Sequence, residues 1–87
     1  MNFRITDKAE GDLKKMDKAL RGFFLKHFRK MMEMPPRRHL KHGIPYHVEE
    51  VTKQARFVYE VDGDEFVVIR CFKDHKEYEK WYSACGR

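Results

Sequence analysis

Met1 to Thr6 alternates apolar and polar side chains, with Phe3 and Ile5 on one side, and predicts a first strand. From Asp7 the period lengthens. Asp7 and Glu10 have the spacing of a capping box, and Ala9, Leu13 and Met16 share one helical face, so a first helix is predicted there, weakened by Gly11. Asp17 is placed to cap a second helix, whose apolar stripe runs through Leu20, Phe23, Phe24, His27, Phe28 and Met31. Pro35 and Pro36 stop it. On that stripe His27 reads as a structural histidine rather than a ligand, and Met31 and Met32 read as core and helix end.

The second half of the chain is strand-like. Tyr46 to Thr52 predicts strand two, Gln54 to Val61 strand three, and Glu65 to Phe72 strand four. Asp62-Gly63 between two apolar runs is a strong hairpin signal. The run VVIRCF is nearly continuous in apolar character, as a central strand buried on both faces would be. Asp74 and Glu77 again have capping spacing, and Tyr78, Trp81, Tyr82 and Cys85 define the apolar edge of a terminal helix. The predicted order is β-α-α-β-β-β-α. It implies an α+β fold in which a helical hairpin packs on one face of a small, mainly antiparallel sheet, with the helices gathered on one side. Residues 1–87 are expected to form a single domain.

Composition changes this picture in two ways. The 41% hydrophobic content is enough for a modest core, and the periodicity argues against disorder despite 38% charged residues. No apolar run is long enough to span a bilayer and no signal-peptide pattern is present, so no membrane role is expected. Cys71 and Cys85 lack CxxC spacing, which suits a reduced, cytoplasmic protein. The net charge of +5 is unevenly spread: residues 1–43 carry twelve Lys/Arg against five Asp/Glu, and residues 44–87 seven against nine. The basic first half suits a nucleic acid or an acidic protein partner, although Lys14, Lys15 and Lys18 alone fit a solvated helix face.

The connector PPRRHLKHGIP concentrates Arg37, Arg38, His39, Lys41 and His42 around the single apolar anchor Leu40. Pro and Gly43 make it a loop. It is either a solvated connector or a clamp on a sugar–phosphate backbone. His39, His42 and His47 do not have zinc spacing with cysteine partners, so neither a metal nor another cofactor is expected. Strand parity places Ala55, Phe57, Tyr59 and Val61 on the core face and Arg56, Val58 and Glu60 on the other. In strand two, His47 and Glu49 share one face, and Tyr46, Val48 and Glu50 the opposite one. Either the His47–Glu49 pair or Glu50 therefore lies beside Arg56. Arg70, inside an apolar strand, needs a carboxylate, an open face or a phosphate. At helical spacing Tyr78 and Trp81 read mainly as core.

Three segments carry a resemblance: the Leu-Lys-x-Gly step at Leu40 to Gly43, the strand ARFVYEV, and the closing run RCFKDHKEYEKWY. With the element order they make the chain similar to toxins of the RelE/ParE superfamily of toxin–antitoxin systems, in particular its ribonuclease branch. The resemblance implies metal-independent, ribosome-linked mRNA cleavage: a ribose 2′-OH is deprotonated and attacks the adjacent phosphate, with charge stabilised by cations. By position, Arg56 matches the arginine that contacts the scissile phosphate. Lys76 matches a basic residue that stabilises charge or delivers a proton. Tyr82 matches the tyrosine of base stacking or proton abstraction, and His75 a histidine acid or base. RelE itself carries two lysines on strand two where this chain has His47 and Glu49, which points to a Glu/His variant with Glu49 or Glu50 as base and His75 as acid. Arg37, Arg38, Lys41, His42, His47, Arg70 and Lys73 are the expected RNA contacts. The implied partners are a cognate antitoxin, with a possible toxin–antitoxin hetero-oligomer, and mRNA on the ribosome. The alternatives are a ParE-like gyrase poison and a non-catalytic RNA-binding or interaction module. The enzyme reading requires Arg56, His75, Lys76 and one strand-two carboxylate or histidine to converge on a phosphate-sized space.

Overall fold

Thr6 starts the first helix. In the computed structural model, which describes residues 2–33, 46–63 and 65–85, the Thr6 hydroxyl accepts from the Ala9 amide at 3.2 Å and donates to the Ile69 carbonyl at 2.9 Å. The cap is therefore Thr6 and not Asp7, because one hydroxyl can serve the helix and the neighbouring strand together, which a carboxylate cannot. Strand β1 covers Asn2–Ile5, helix α1 Asp7–Lys14 and helix α2 Lys18–Met32. Asp17 caps α2 as expected, accepting from Leu20 N at 2.8 Å. Strands β2 (His47–Glu50), β3 (Arg56–Asp62) and β4 (Glu65–Phe72) and helix α3 (His75–Cys85) follow. Asp74 caps α3 by accepting from Glu77 N at 2.9 Å.

The four strands form one sheet in the order β1-β4-β3-β2. The β2–β3 and β3–β4 ladders are antiparallel and β1–β4 is parallel. Strand two is shorter than its apolar pattern predicts, because a threonine-centred turn takes over. Val51 N and Thr52 N donate to the Ala55 carbonyl, while Thr52 Oγ1 accepts from Gln54 N and Ala55 N. That turn also delays strand three to Arg56. At the next reversal Gly63 adopts φ 64, the left-handed geometry that glycine tolerates best. A bulge shifts the β3–β4 register between Val58 and Tyr59, so that Val58 faces Arg70 and Tyr59 faces Val68.

The core is split by the sheet. On one face Ala9, Leu13 and Met16 of α1 and Phe24 and Phe28 of α2 pack on Phe57, Tyr59, Phe66, Val68 and Cys71. On the other, α3 lays Tyr78, Trp81 and Tyr82 over Val58, Phe72, Val48 and Ile69. The helices are thus not all on one side: the hairpin covers one face and α3 the other, which is why β4 is apolar on both. Phe23 departs from its predicted stripe and is 55% exposed. The buried arc of α2 centres on Phe24 and Phe28, and Phe23 falls at its margin. No helix among the described residues is long and apolar enough to cross a membrane.

Candidate functional site

Arg56 opens β3, cross-strand from Glu50 on β2 and Phe72 on β4. Parity turns it onto the α3 face. There it is only 8% exposed. Its Nη2 donates to the Lys53 carbonyl at 3.1 Å and lies 3.9 Å from Glu50 Oε1, while the guanidinium sits 5.3 Å from the centre of the Tyr78 ring. Nε of Arg56 and the hydroxyl of Tyr78 are buried with no hydrogen-bond partner among the described residues. Burial pushes the Tyr78 phenol above its ordinary range, against the pull of the Arg56 charge. A cation on an aromatic platform with unfilled donor capacity is equipped to hold an anion.

Tyr78 gathers the other candidates. Tyr82 lies 6.0 Å from it and His75 6.2 Å, ring to ring. His75 pairs with Glu79 one turn further along α3. Glu50 is solvent-exposed and free to meet a substrate. Lys76 is not part of this cluster: it stands two residues from Tyr78, on the far side of the helix, and is exposed. Lys73, also exposed, edges a cleft of about 230 Å³ between α1 and the end of β4, together with Lys15, Asp12, Arg70 and Phe72. Of the expected convergence, Arg56 and Glu50 meet directly, His75 and Tyr82 are connected to Arg56 only through their common neighbour Tyr78, and Lys76 is left out.

Strand two resolves the open choice of its pairing. Glu50 is the residue beside Arg56. Glu49 and His47 point to the hairpin face, where Glu49 accepts from or pairs with His27 at 3.3 Å and the His47 ring stacks on Tyr59 at 5.1 Å. Neither reaches the Arg56 cluster. His27 takes the structural place expected of it. Arg70 is likewise held by the protein itself: Nε and Nη2 donate to Asp12 at 2.7 and 3.1 Å, and the Cys71 amide donates to the same carboxylate at 3.1 Å. Burial, aided by Asp12, drives the Cys71 thiol far above its ordinary range and makes it inert. Arg37, Arg38, His39, Lys41 and His42 lie outside the described residues.

Two residues escaped the sequence reading. Asp12 shares the α1 face of Ala9 and Met16; a carboxylate beside a buried stripe and an arginine within an apolar strand each need a partner, and that shared need was the available signal. Tyr78 reads mainly as core from its spacing, and its ring is also the platform under Arg56.

No family model matches the sequence, and no curated protein matches it. Solved structures do. The isolated RelE toxin of E. coli superposes with a TM-score of 0.71 at 18% identity, covering 95% of this chain and 96% of that one. A chain of the intact E. coli RelBE toxin–antitoxin complex gives 0.70 at 18% identity, covering 83% of this chain and 94% of that one. A YoeB/ParE toxin from Agrobacterium tumefaciens gives 0.62 at 21% identity, covering 82% and 95%. The chain has the RelE-like α+β fold.

Proposed function

We propose that the protein is the toxin of a toxin–antitoxin pair and an endoribonuclease that cuts mRNA on the ribosome, in the cytoplasm. The observation that carries this reading is Arg56: a nearly buried guanidinium fixed on Tyr78, with donor capacity unfilled and a carboxylate across the strand. In the proposed reaction Arg56 binds the scissile phosphate. Glu50 removes the proton of the ribose 2′-OH, and that oxygen bonds to phosphorus. The 5′-oxygen leaves with a proton from His75, so a 2′,3′-cyclic phosphate and a 5′-hydroxyl result. Arg56 balances the charge of the phosphorane, Tyr82 stacks a neighbouring base, and Lys73 and Lys76 draw in the backbone. The RelBE complex supports a cognate antitoxin as partner, which would close the Arg56 face.

The test is induced expression of wild type and Arg56→Ala, with growth and primer extension on cellular mRNA as readouts. Wild type arrests growth and leaves codon-linked cuts; Arg56→Ala loses about 10²-fold or more of the cleavage. Equal growth with intact mRNA overturns the proposal. The hydrogen bond from Arg56 to the Lys53 carbonyl favours one competing reading, an arginine that merely closes the β2–β3 turn in a non-catalytic RNA-binding module. Purified Arg56→Ala separates the two: a folded variant without cleavage supports the enzyme, and an unfolded one supports the turn.

A further inference from the structure

On the side of the sheet opposite Arg56, α2 leaves two large apolar side chains in solvent, Phe23 at 55% and Leu25 at 42% exposure. The helix carries Lys18, Arg21, Lys26, Arg29 and Lys30 and no acidic residue between its ends. Phe23 does not stand alone. It borders a groove of about 420 Å³ shared with Lys26, His27, Lys30 and Val51, with Glu33 at one end and Arg29 on the rim. His27 is already engaged by Glu49 and forms part of the floor. Lys26, Arg29 and Lys30 are exposed and pair with no carboxylate among the described residues.

From this pattern we propose that the groove between α2 and Val51 docks an acidic amphipathic helix of a partner protein, at a site separate from the Arg56 face. Phe23, Lys26 and Lys30 follow one another along one side of α2 over two turns, about 10 Å. A partner helix set against that line places an apolar side chain on Phe23 and Val51, and carboxylates one turn apart against the two lysines. Three cations against one carboxylate give the groove its preference for acidic chains. RNA fits the charge but leaves the exposed ring of Phe23 and the side chain of Val51 without an apolar partner, so a protein is the favoured occupant. This inference extends the partner assignment and is independent of cleavage chemistry.

The probe is a fluorescein-labelled synthetic helix with leucines along one face and flanking glutamates, beside a twin with lysines for the glutamates. Anisotropy is titrated with the full-length protein. The acidic helix binds wild type, weakens as salt rises, and binds Phe23→Ser and Lys26→Glu/Lys30→Glu about tenfold or more weaker, while melting temperatures stay unchanged because these side chains are exposed. Arg56→Ala binds it as wild type does, so failure of the ribonuclease reading leaves this result intact. Equal binding of the twin peptides, or variants that bind like wild type, overturns the proposal. So does loss of oligoribonucleotide binding in Lys26→Glu/Lys30→Glu, which makes the groove an RNA surface. A wild-type dimer in sedimentation equilibrium that Phe23→Ser dissolves overturns it as well, since the occupant is then a second copy.

Discussion

On the hairpin face of the sheet, two charged groups near the core meet neighbouring charges, Asp12 taking Arg70 and the Cys71 amide and Glu49 taking His27. Arg21 there reaches only the Met16 carbonyl and keeps a buried Nε without a partner among the described residues. On the α3 face Arg56 is answered only in part, and the Tyr78 hydroxyl not at all among the described residues. An unmet buried polar group costs about 1–3 kcal/mol. At Arg56 that cost is reasonable where a ligand supplies the missing partner, and the aromatic core of the hairpin face provides stability that offsets it. The difference lies in the surroundings: Arg21 belongs to the hairpin layer, whereas Arg56 lies on the Tyr78 ring beside the solvent-exposed carboxylate of Glu50, and it is this setting that the proposed function uses.

The strongest way to break that contrast is to truncate one large side chain on each face. Phe28 is fully buried, with its ring 4.8 Å from Phe57 and 5.6 Å from Phe3. Phe28→Ala should cost about 3–5 kcal/mol in urea unfolding. Trp81→Ala, at the half-buried edge of α3, should cost clearly less. Equal losses would mean that α3 is as much a part of the stabilising core as the hairpin is.

A smaller effect is expected at the polar link between α1 and β4. Asp12→Ala leaves Arg70 and the Cys71 amide without their acceptor. Both side chains of the ion pair are partly exposed, so solvent recovers some of the loss, and about 2 kcal/mol of destabilisation is expected. Asp12→Asn should lose less, since its carbonyl oxygen still accepts from Cys71 N. If Asp12→Ala unfolds like wild type, the pairing is a surface contact and the hairpin face loses its distinguishing feature.

How much of this was legible in the sequence follows the same division. Periodicity located every helix and strand because burial on one face imposes it, and β4 stood out because burial on two faces removes alternation. What periodicity does not encode is which layer covers which face. The placement of α3 opposite the hairpin was therefore not legible, nor was the bulge at Val58/Tyr59. The site follows suit. Parity put Arg56 off the main core correctly, but left Glu49 and Glu50 as equals, because the partition of β2 depends on its register with β3, which the short turn at Thr52 sets. Lys76 was drawn in by its place in a motif, while its helical angle turns it away from Tyr78.

The finest test of the contrast is the single atom Tyr78 Oη. With no partner for that hydroxyl among the described residues, Tyr78→Phe keeps the platform under Arg56 and removes only the unmet group. Its neutral-pH stability should exceed that of wild type by about 1–3 kcal/mol. The alkaline limb supplies the sign. Burial raises the phenol of the folded state, so in base the unfolded chain releases its proton first, and wild type loses stability as pH climbs beyond the ordinary tyrosine range near about 10. Tyr78→Phe lacks that contribution. The stability difference between the two proteins should be flat up to about pH 10 and then grow further in favour of the variant. A loss above about 1 kcal/mol at neutral pH would instead show that the hydroxyl has a partner in the folded protein. The unmet group beside Arg56 would then be its own Nε alone, as at Arg21 in the hairpin layer, and the argument for an anion at Arg56 would lose much of its support.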